Sequence, residues 1–349
     1  MGGAGGPALA RARFNTIKNS DAYLHGSIAR GLVWLMRNQE RDGRWTGSAG
    51  RGVRRAEAYS DPEVTAAVAL AFMQSGFTPS GRSAPSRRLR AALTWLVRQR
   101  RPDHTFAPPG ARQIHTQAMV ITALSEAMRL TDREVVRSRF RHIIRSALAV
   151  LMRRQGRSGE WQGPELTAMA LMATGSARAA GFAVNADAQK LALAWLVGYR
   201  KSRSGTAMAS LGPQADGGTA VAYAGIGEVL GSDNLFEGAA QGVEIEGVAK
   251  ELEAAPVVWE SGDFFRWYAG TLVAYRLNGS FWQRWRSGLL LQLIPRQRGA
   301  AGSRKAAALR GSWAPHGLCR SSGRSYTTAL AVLSLAATCG HSPVYGSAK

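Results

Sequence analysis

Apolar and polar positions alternate along most of this chain with the period of a helix. The clearest stretch is GLVWLMRNQERDGRW, from Gly31 to Trp45, where helically spaced leucines and a tryptophan give way to a polar glycine turn and a closing tryptophan. The stretch returns as ALTWLVRQRRPDHTF from Ala92, ALAVLMRRQGRSGEW from Ala147 and ALAWLVGYRKSRSGT from Ala192. The registers coincide. Leu32, Leu93, Leu148 and Leu193 share one position; Leu35, Leu96, Leu151 and Leu196 share another; Trp34, Trp95, Val150 and Trp195 share a third. Recurrence at roughly 45–60 residues marks a repeat architecture, in which each unit buries its apolar face against its neighbours.

Each such helix is followed by a second one that is dense in Ala, Val, Leu and Met. These are SDPEVTAAVALAFMQSGF from Ser60, IHTQAMVITALSEAMRL from Ile114, PELTAMALMATGSARAAGF from Pro164 and GGTAVAYAGIGEVLG from Gly217. Asp61 before Pro62 reads as an N-cap with proline at the first helical position, and Gly76 as the stop. Helices apolar on nearly all sides and rich in small residues are expected where neighbours pack closely all round. The third quarter diverges: a weak helix, GVEIEGVAKELEA from Gly242, precedes GDFFRWYAGTLVAYRLNG from Gly262 and FWQRWRSGLLLQLIPRQRG from Phe281. A basic loop around residues 299–310 leads to GSWAPHG and a last helix, SGRSYTTALAVLSLAATCG from Ser322. Strand signals are nearly absent. The expectation is an all-α chain of about six helical hairpins. Residues 1–22 read as a flexible Gly/Ala-rich leader, 23–342 as one domain and 343–349 as a short tail.

Composition changes this picture little and charge somewhat more. The 349 residues are 45% hydrophobic, and no run of about 18 apolar residues suggests a membrane span. The N-terminus has no apolar signal core and the two cysteines form neither a metal spacing nor a disulfide framework, so a cytoplasmic setting is the default. A formal charge of +22 attracts nucleic acid, anionic lipid headgroups or diphosphates. The basic residues are nevertheless spread through every repeat, and Arg37, Arg98, Arg100, Arg153 and Arg154 sit at helix ends where a solvated, dipole-complementing face accounts for them. No nucleic-acid module accompanies the charge, which leaves nucleic acid the least supported partner.

Gln39-x-x-x-Gly43-x-Trp45 is reproduced by Gln155-x-x-x-Gly159-x-Trp161. Arg100 and Arg200 stand in the glutamine place of two degraded copies, with Phe106 and Thr206 in the tryptophan place; Gln297 and Gly311-Ser312-Trp313 form a later, broken one. With its Leu/Trp helix, each copy resembles the QW repeat of the prenyltransferase and squalene oxidase repeat family, over about residues 26–340. The resemblance implies an α/α toroid like that of squalene–hopene cyclases and protein prenyltransferase β subunits, with QW helices outside and the following helices inside. DFFRWYAGTL with WQRW, and GSW with GRSYTTALAVLSL, look like a bacterial branch of such toroid proteins that brings no known reaction.

In that arrangement the polar starts of the inner helices ring one end of an apolar barrel: Asp61, Glu63, His115, Glu165, Asp216, Asp263, Arg266, Arg324 and Tyr326. Such a ring suits an amphiphile, head at the rim and hydrocarbon inside. The acids and bases that could act there are Asp61, His115, Glu165 and Asp263. Glu63, Phe264, Arg266, Trp267, Tyr268, Arg324 and Tyr326 are the candidate ligand contacts. Capping explains Asp61, Asp216 and Asp263 equally well, and core packing explains the aromatics. The chain departs from the family's catalytic members. It has no DxDD acid motif and no GCGEQ thioester segment; Asp263 stands in a zinc-ligand Asp place, but Phe265 and Tyr326 replace the Cys and His. No metal and no cofactor is expected. Two functions stay open: a cyclase-like or prenyltransferase-like toroid that binds an isoprenoid or other lipid, and a non-enzymatic scaffold whose basic surface docks an acidic partner or anionic membrane.

Overall fold

The structure is a computed structural model, and it describes residues 20–47, 59–110, 112–210, 216–232, 245–299 and 307–339. Among these residues the chain is all-helical, with twelve α-helices and no strand. They are α1 (Ser20–Arg37), α2 (Asp61–Gln74), α3 (Ala84–Arg98), α4 (Gln113–Arg129), α5 (Glu134–Arg153), α6 (Pro164–Ala179), α7 (Ala186–Ser210), α8 (Asp216–Ser232), α9 (Ile245–Ala254), α10 (Phe264–Leu277), α11 (Gly279–Leu293) and α12 (Gly323–Ala337). Of the expected leader, residues 1–19 lie outside the described residues, whereas residues 20–22 belong to α1; the expected tail, residues 343–349, lies outside them too, as does the side chain of Asp216.

The even-numbered helices pack on one another in succession: α2 on α4, α4 on α6, α6 on α8, α8 on α10, α10 on α12, and α12 back on α2. Their burial matches their composition. Every residue of α2 from Val64 to Phe72 is closed to water, and so is α12 from Tyr326 to Leu333. No face of these two stretches borders a water-sized space, so the apolar cavity expected inside the helices is filled along them. Small residues allow this close approach. A β-carbon on Gly270 of α10 would stand 2.6 Å from the Trp285 ring of α11.

The odd-numbered helices lie outside and carry the repeat. Leu32, Leu35, Leu93, Leu96, Leu148, Leu151, Leu193 and Leu196 are all buried, as their shared registers require. Three copies of one clamp follow these helices. Gln39 Nε2 donates to Gly43 O at 2.8 Å and to Arg88 O of α3 at 2.9 Å. Gln155 repeats this with Gly159 O and Ala188 O of α7, and Gln297 with Gly311 O and Ser27 O of α1. The closing tryptophans Trp45, Trp161 and Trp313 each send Nε1 back to a carbonyl of the preceding helix (Leu35, Leu151 and Leu293) at 2.8 Å. The broken third copy is therefore complete in space, and its glutamine links the end of the chain to its beginning.

Two repeats differ from expectation. At the second, His104 occupies the turn glycine's place at φ 64°, and the glutamine's work passes to Gln117 of α4, which donates to His104 O and Ala147 O. At the fourth there is no turn at all, because α7 runs on to Ser210 through positions 200 and 206. Arg200 is buried there and donates to Glu228 of α8 at 2.7 Å and Glu251 of α9 at 3.4 Å. A charged side chain closed off from water needs such partners, and the longer helix is what carries it to them. A smaller correction concerns the start of α2: the cap is Ser60, whose hydroxyl accepts from Glu63 N, whereas Asp61 is the first helical residue.

Gly159 takes φ 104°, and a β-carbon there would meet the Leu191 backbone at 2.6 Å, whereas Gly181 takes φ 88° in open space. Gly181→Ala then carries only the backbone penalty of about 1–2 kcal/mol, and Gly159→Ala adds displacement of α7. Urea unfolding should rank Gly159→Ala clearly below Gly181→Ala; equal midpoints would mean that the turn does not press on α7.

Candidate active site at the inner-helix starts

The clamp also aims the inner helices. The backbone N–H groups of Trp45, Trp161 and Trp313 donate to Thr65, Thr167 and Thr328, and Gln117 holds the corresponding place on α4. Those side chains face the outer layer. A residue two positions earlier is rotated by about 200° and faces the opposite way. The residues two positions earlier are Glu63, Glu165, Tyr326 and His115. In α10, Trp267 faces Trp259 at 6.4 Å between ring centroids, and two positions before it stands Phe265.

These residues meet in one cluster. Glu63 is fully buried; Arg112 donates to both its oxygens, Thr116 donates to Oε2 at 3.2 Å, and His115 Nδ1 lies 2.8 Å from Oε1. That last contact is an ion-pair approach whose angle falls outside hydrogen-bond geometry. Burial alone would raise the Glu63 carboxyl, but the His115 and Arg112 charges overcome it and hold the group down at about 2. Burial acts against the Arg112 guanidinium as well, and Glu63 more than compensates, so it stays charged. Arg112 lies over the Tyr59 ring at 3.5 Å, a cation–π contact, and Tyr59 touches the Tyr326 ring at 4.7 Å.

The His115 ring is framed by Tyr59 and Phe265, with centroids 6.2 and 5.8 Å away. Its Nε2 lies 3.9 Å from Glu165, whose side chain is 47% exposed. Glu63 and Glu165 thus play different parts. Glu63 is a fixed anion that orients the imidazole, and Glu165 stands at the side open to solvent. This arrangement suits proton transfer through Nε2 of His115. Tyr326 Oη is buried and has no hydrogen-bond partner among the described residues. Burial raises the Tyr326 hydroxyl and likewise pushes the nearby Cys319 thiol up to about 12, which leaves the thiol inert.

Other sequence candidates have local duties. Asp61 accepts from Gly47 N at 2.9 Å and pairs with Arg44 at 3.4 Å. Asp263 caps α10 through Arg266 N and also receives Tyr223 Oη at 2.9 Å and Arg266 Nε at 3.3 Å, so its oxygens are occupied. Arg266 further donates to Ala255 O and Pro256 O, strapping down the segment after α9. Arg324 donates to Ser312 beside the Trp313 clamp. Phe264 and Trp267 pack on each other and against Trp259, and Tyr268 is buried in the core. Tyr59, Arg112, Thr116, Tyr223 and Phe265 are cluster members that the reading of motifs did not select for this site. Phe265 is already marked in the sequence, as the residue in the cysteine place; Arg112 and Tyr59 sit just outside helices, where periodicity gives no signal. No group of three metal-ligating residues occurs among the described residues.

The Glu63 carboxyl titrates at about 2 in the fold against 4.5 ordinarily, so its stabilisation is present above the ordinary value and is lost as pH falls towards the folded one. Urea unfolding across pH 7 to 2 should show the native chain losing stability below about pH 4.5. Glu63→Gln should be less stable at pH 7 by roughly 3–5 kcal/mol, because Arg112 loses its buried counter-charge, and the gap should close towards pH 2. A gap independent of pH would contradict the ion-pair account.

A comparison with protein-family models and with curated protein sequences finds no match to this chain.

Proposed function

We propose that this chain is an α/α toroid of the prenyltransferase and squalene oxidase repeat type, and that its working surface is the mouth where the inner helices begin. The mouth holds the polar head of an amphiphile, an isoprenoid or other lipid. The succession of packed inner helices from α2 round to α12 supports the toroid, as does the Gln297 link to α1.

The observation that carries the binding site is the meeting of Glu63, His115, Glu165, Phe265 and Tyr326 in one cluster. The Tyr326 hydroxyl beside them is buried without a partner among the described residues, a donor that a ligand oxygen can use once the Tyr59 ring packed on it moves aside. Its neighbours Tyr59 and Phe265 supply apolar walls. Because the interior is filled along α2 and α12, the ligand lies across the mouth and not inside the barrel. Any reaction at this mouth is proton transfer by His115 with Glu165, isomerase-like in class; Glu63 positions the imidazole. The filled interior also favours a second reading, in which the toroid is a scaffold and its charge of +22 docks an acidic protein or anionic membrane surface. No described helix is long and apolar enough to cross a membrane.

Solvent extraction of the purified chain followed by mass spectrometry should release a stoichiometric isoprenoid or related lipid, and a matching ligand should raise the melting temperature. Tyr326→Phe should leave the melting temperature of the free protein unchanged or higher, since the hydroxyl is unpaired, while weakening the ligand-induced rise. A clean extract, with no shift from farnesyl diphosphate, geranylgeraniol or squalene, would favour the scaffold.

A further inference from the structure

A concave surface lies away from the His115 cluster. It is a groove of about 510 Å³ between α5 and the segment joining α6 to α7, within the range of roughly 300–1,000 Å³ typical of ligand pockets. Met128 lines it, thirteen residues beyond His115 on α4, so the two sites are about 20 Å apart along that helix.

One wall is a single face of α5: Arg141, Arg145, Leu148, Ala149 and Met152. The spacing places them in one stripe, charged at the N-terminal end and apolar at the other. Arg141 to Met152 spans about 16 Å of helix. Phe182 and Val184 face this wall from the α6–α7 segment, and no acidic residue lines the groove. Arg141 already pairs with Glu134 at 3.3 Å. Arg145 is exposed and has no carboxylate partner among the described residues. At the groove edge Asn185 caps the first turn of α7 by accepting from the N–H groups of Asp187 and Ala188, and the positive end of that helix dipole favours a nearby anion.

We infer that this groove binds a single-chain fatty acid, its carboxylate on Arg145 and its alkyl chain along Leu148, Ala149 and Met152 against Phe182. The groove is polar at one end and apolar at the other, as an amphiphile is. One unpaired guanidinium matches a monoanion, and an Arg–carboxylate pair can be bidentate. This site is independent of the mouth, and its occupant contacts neither His115 nor Glu165.

Calorimetric titration of the full chain with dodecanoate, below its micellar concentration, tests the inference. Dodecyl phosphate and dodecyltrimethylammonium serve as arms with the same tail. Dodecanoate should bind one-to-one, with the cationic amphiphile at least tenfold weaker. Arg145→Glu reverses the charge and Ala149→Trp fills the groove; both lie on the exposed side of α5, and each should weaken dodecanoate at least tenfold without lowering the melting temperature. Glu165→Ala should leave dodecanoate binding unchanged. Equal binding of the cationic amphiphile, preference for dodecyl phosphate over dodecanoate, undiminished binding in both groove variants, or loss in Glu165→Ala would each overturn the assignment.

Discussion

The glutamine–glycine–tryptophan clamp is the interaction on which the rest of this structure depends. In it one side-chain amide donates to two backbone carbonyls, one in the turn after its own helix and one within the next outer helix. Gln39, Gln155 and Gln297 all do this. The tryptophan that closes each turn is wholly buried, returns a hydrogen bond to the helix it left, and fixes the next inner helix through a threonine. Outer spacing and inner rotation are set by the same few atoms.

The site follows from that rotation. With Thr65, Thr167 and Thr328 turned outward, Glu63, Glu165 and Tyr326 turn inward without any further device, and His115 joins them because Gln117 takes the threonine's place. The same logic divides the labour of the carboxylates. Glu63 is sealed beneath Arg112 and held ionised, while Glu165 remains half open to solvent. Two glutamates at equivalent repeat positions thus differ: Arg112 and His115 hold the sealed Glu63 ionised against its burial, and Glu165 lies on the solvent side.

The helices were legible in the sequence because each outer one shows an apolar stripe and each inner one is apolar throughout. The repeat period exposed the glutamine and tryptophan positions, including the copy at Gln297 and Trp313. It misjudged Arg200, where the motif's spacing predicted a turn but a buried pairing with Glu228 and Glu251 favours more helix. Glu63, His115, Glu165 and Tyr326 stand out in the sequence by their place at helix starts, and the fold brings them into one cluster. Arg112 and Tyr59 do not, because they lie between helices and acquire their roles only through contacts that sequence spacing does not encode. Of the α10 aromatics, Phe264, Trp267 and Tyr268 are the contacts expected from the sequence, whereas Phe265 is the one that packs against the His115 ring, 5.8 Å between centroids.

The packing of the last hairpin on the first can be tested at Gln297, which joins them. Hydrogen–deuterium exchange of the full chain should be compared with Gln297→Ala. If Gln297 ties the last hairpin to the first, protection falls both around Leu293–Trp313 and in α1 (Ser20–Arg37), some 270 residues earlier in sequence. Loss confined to the neighbourhood of residue 297, with α1 unchanged, would contradict a closed arrangement.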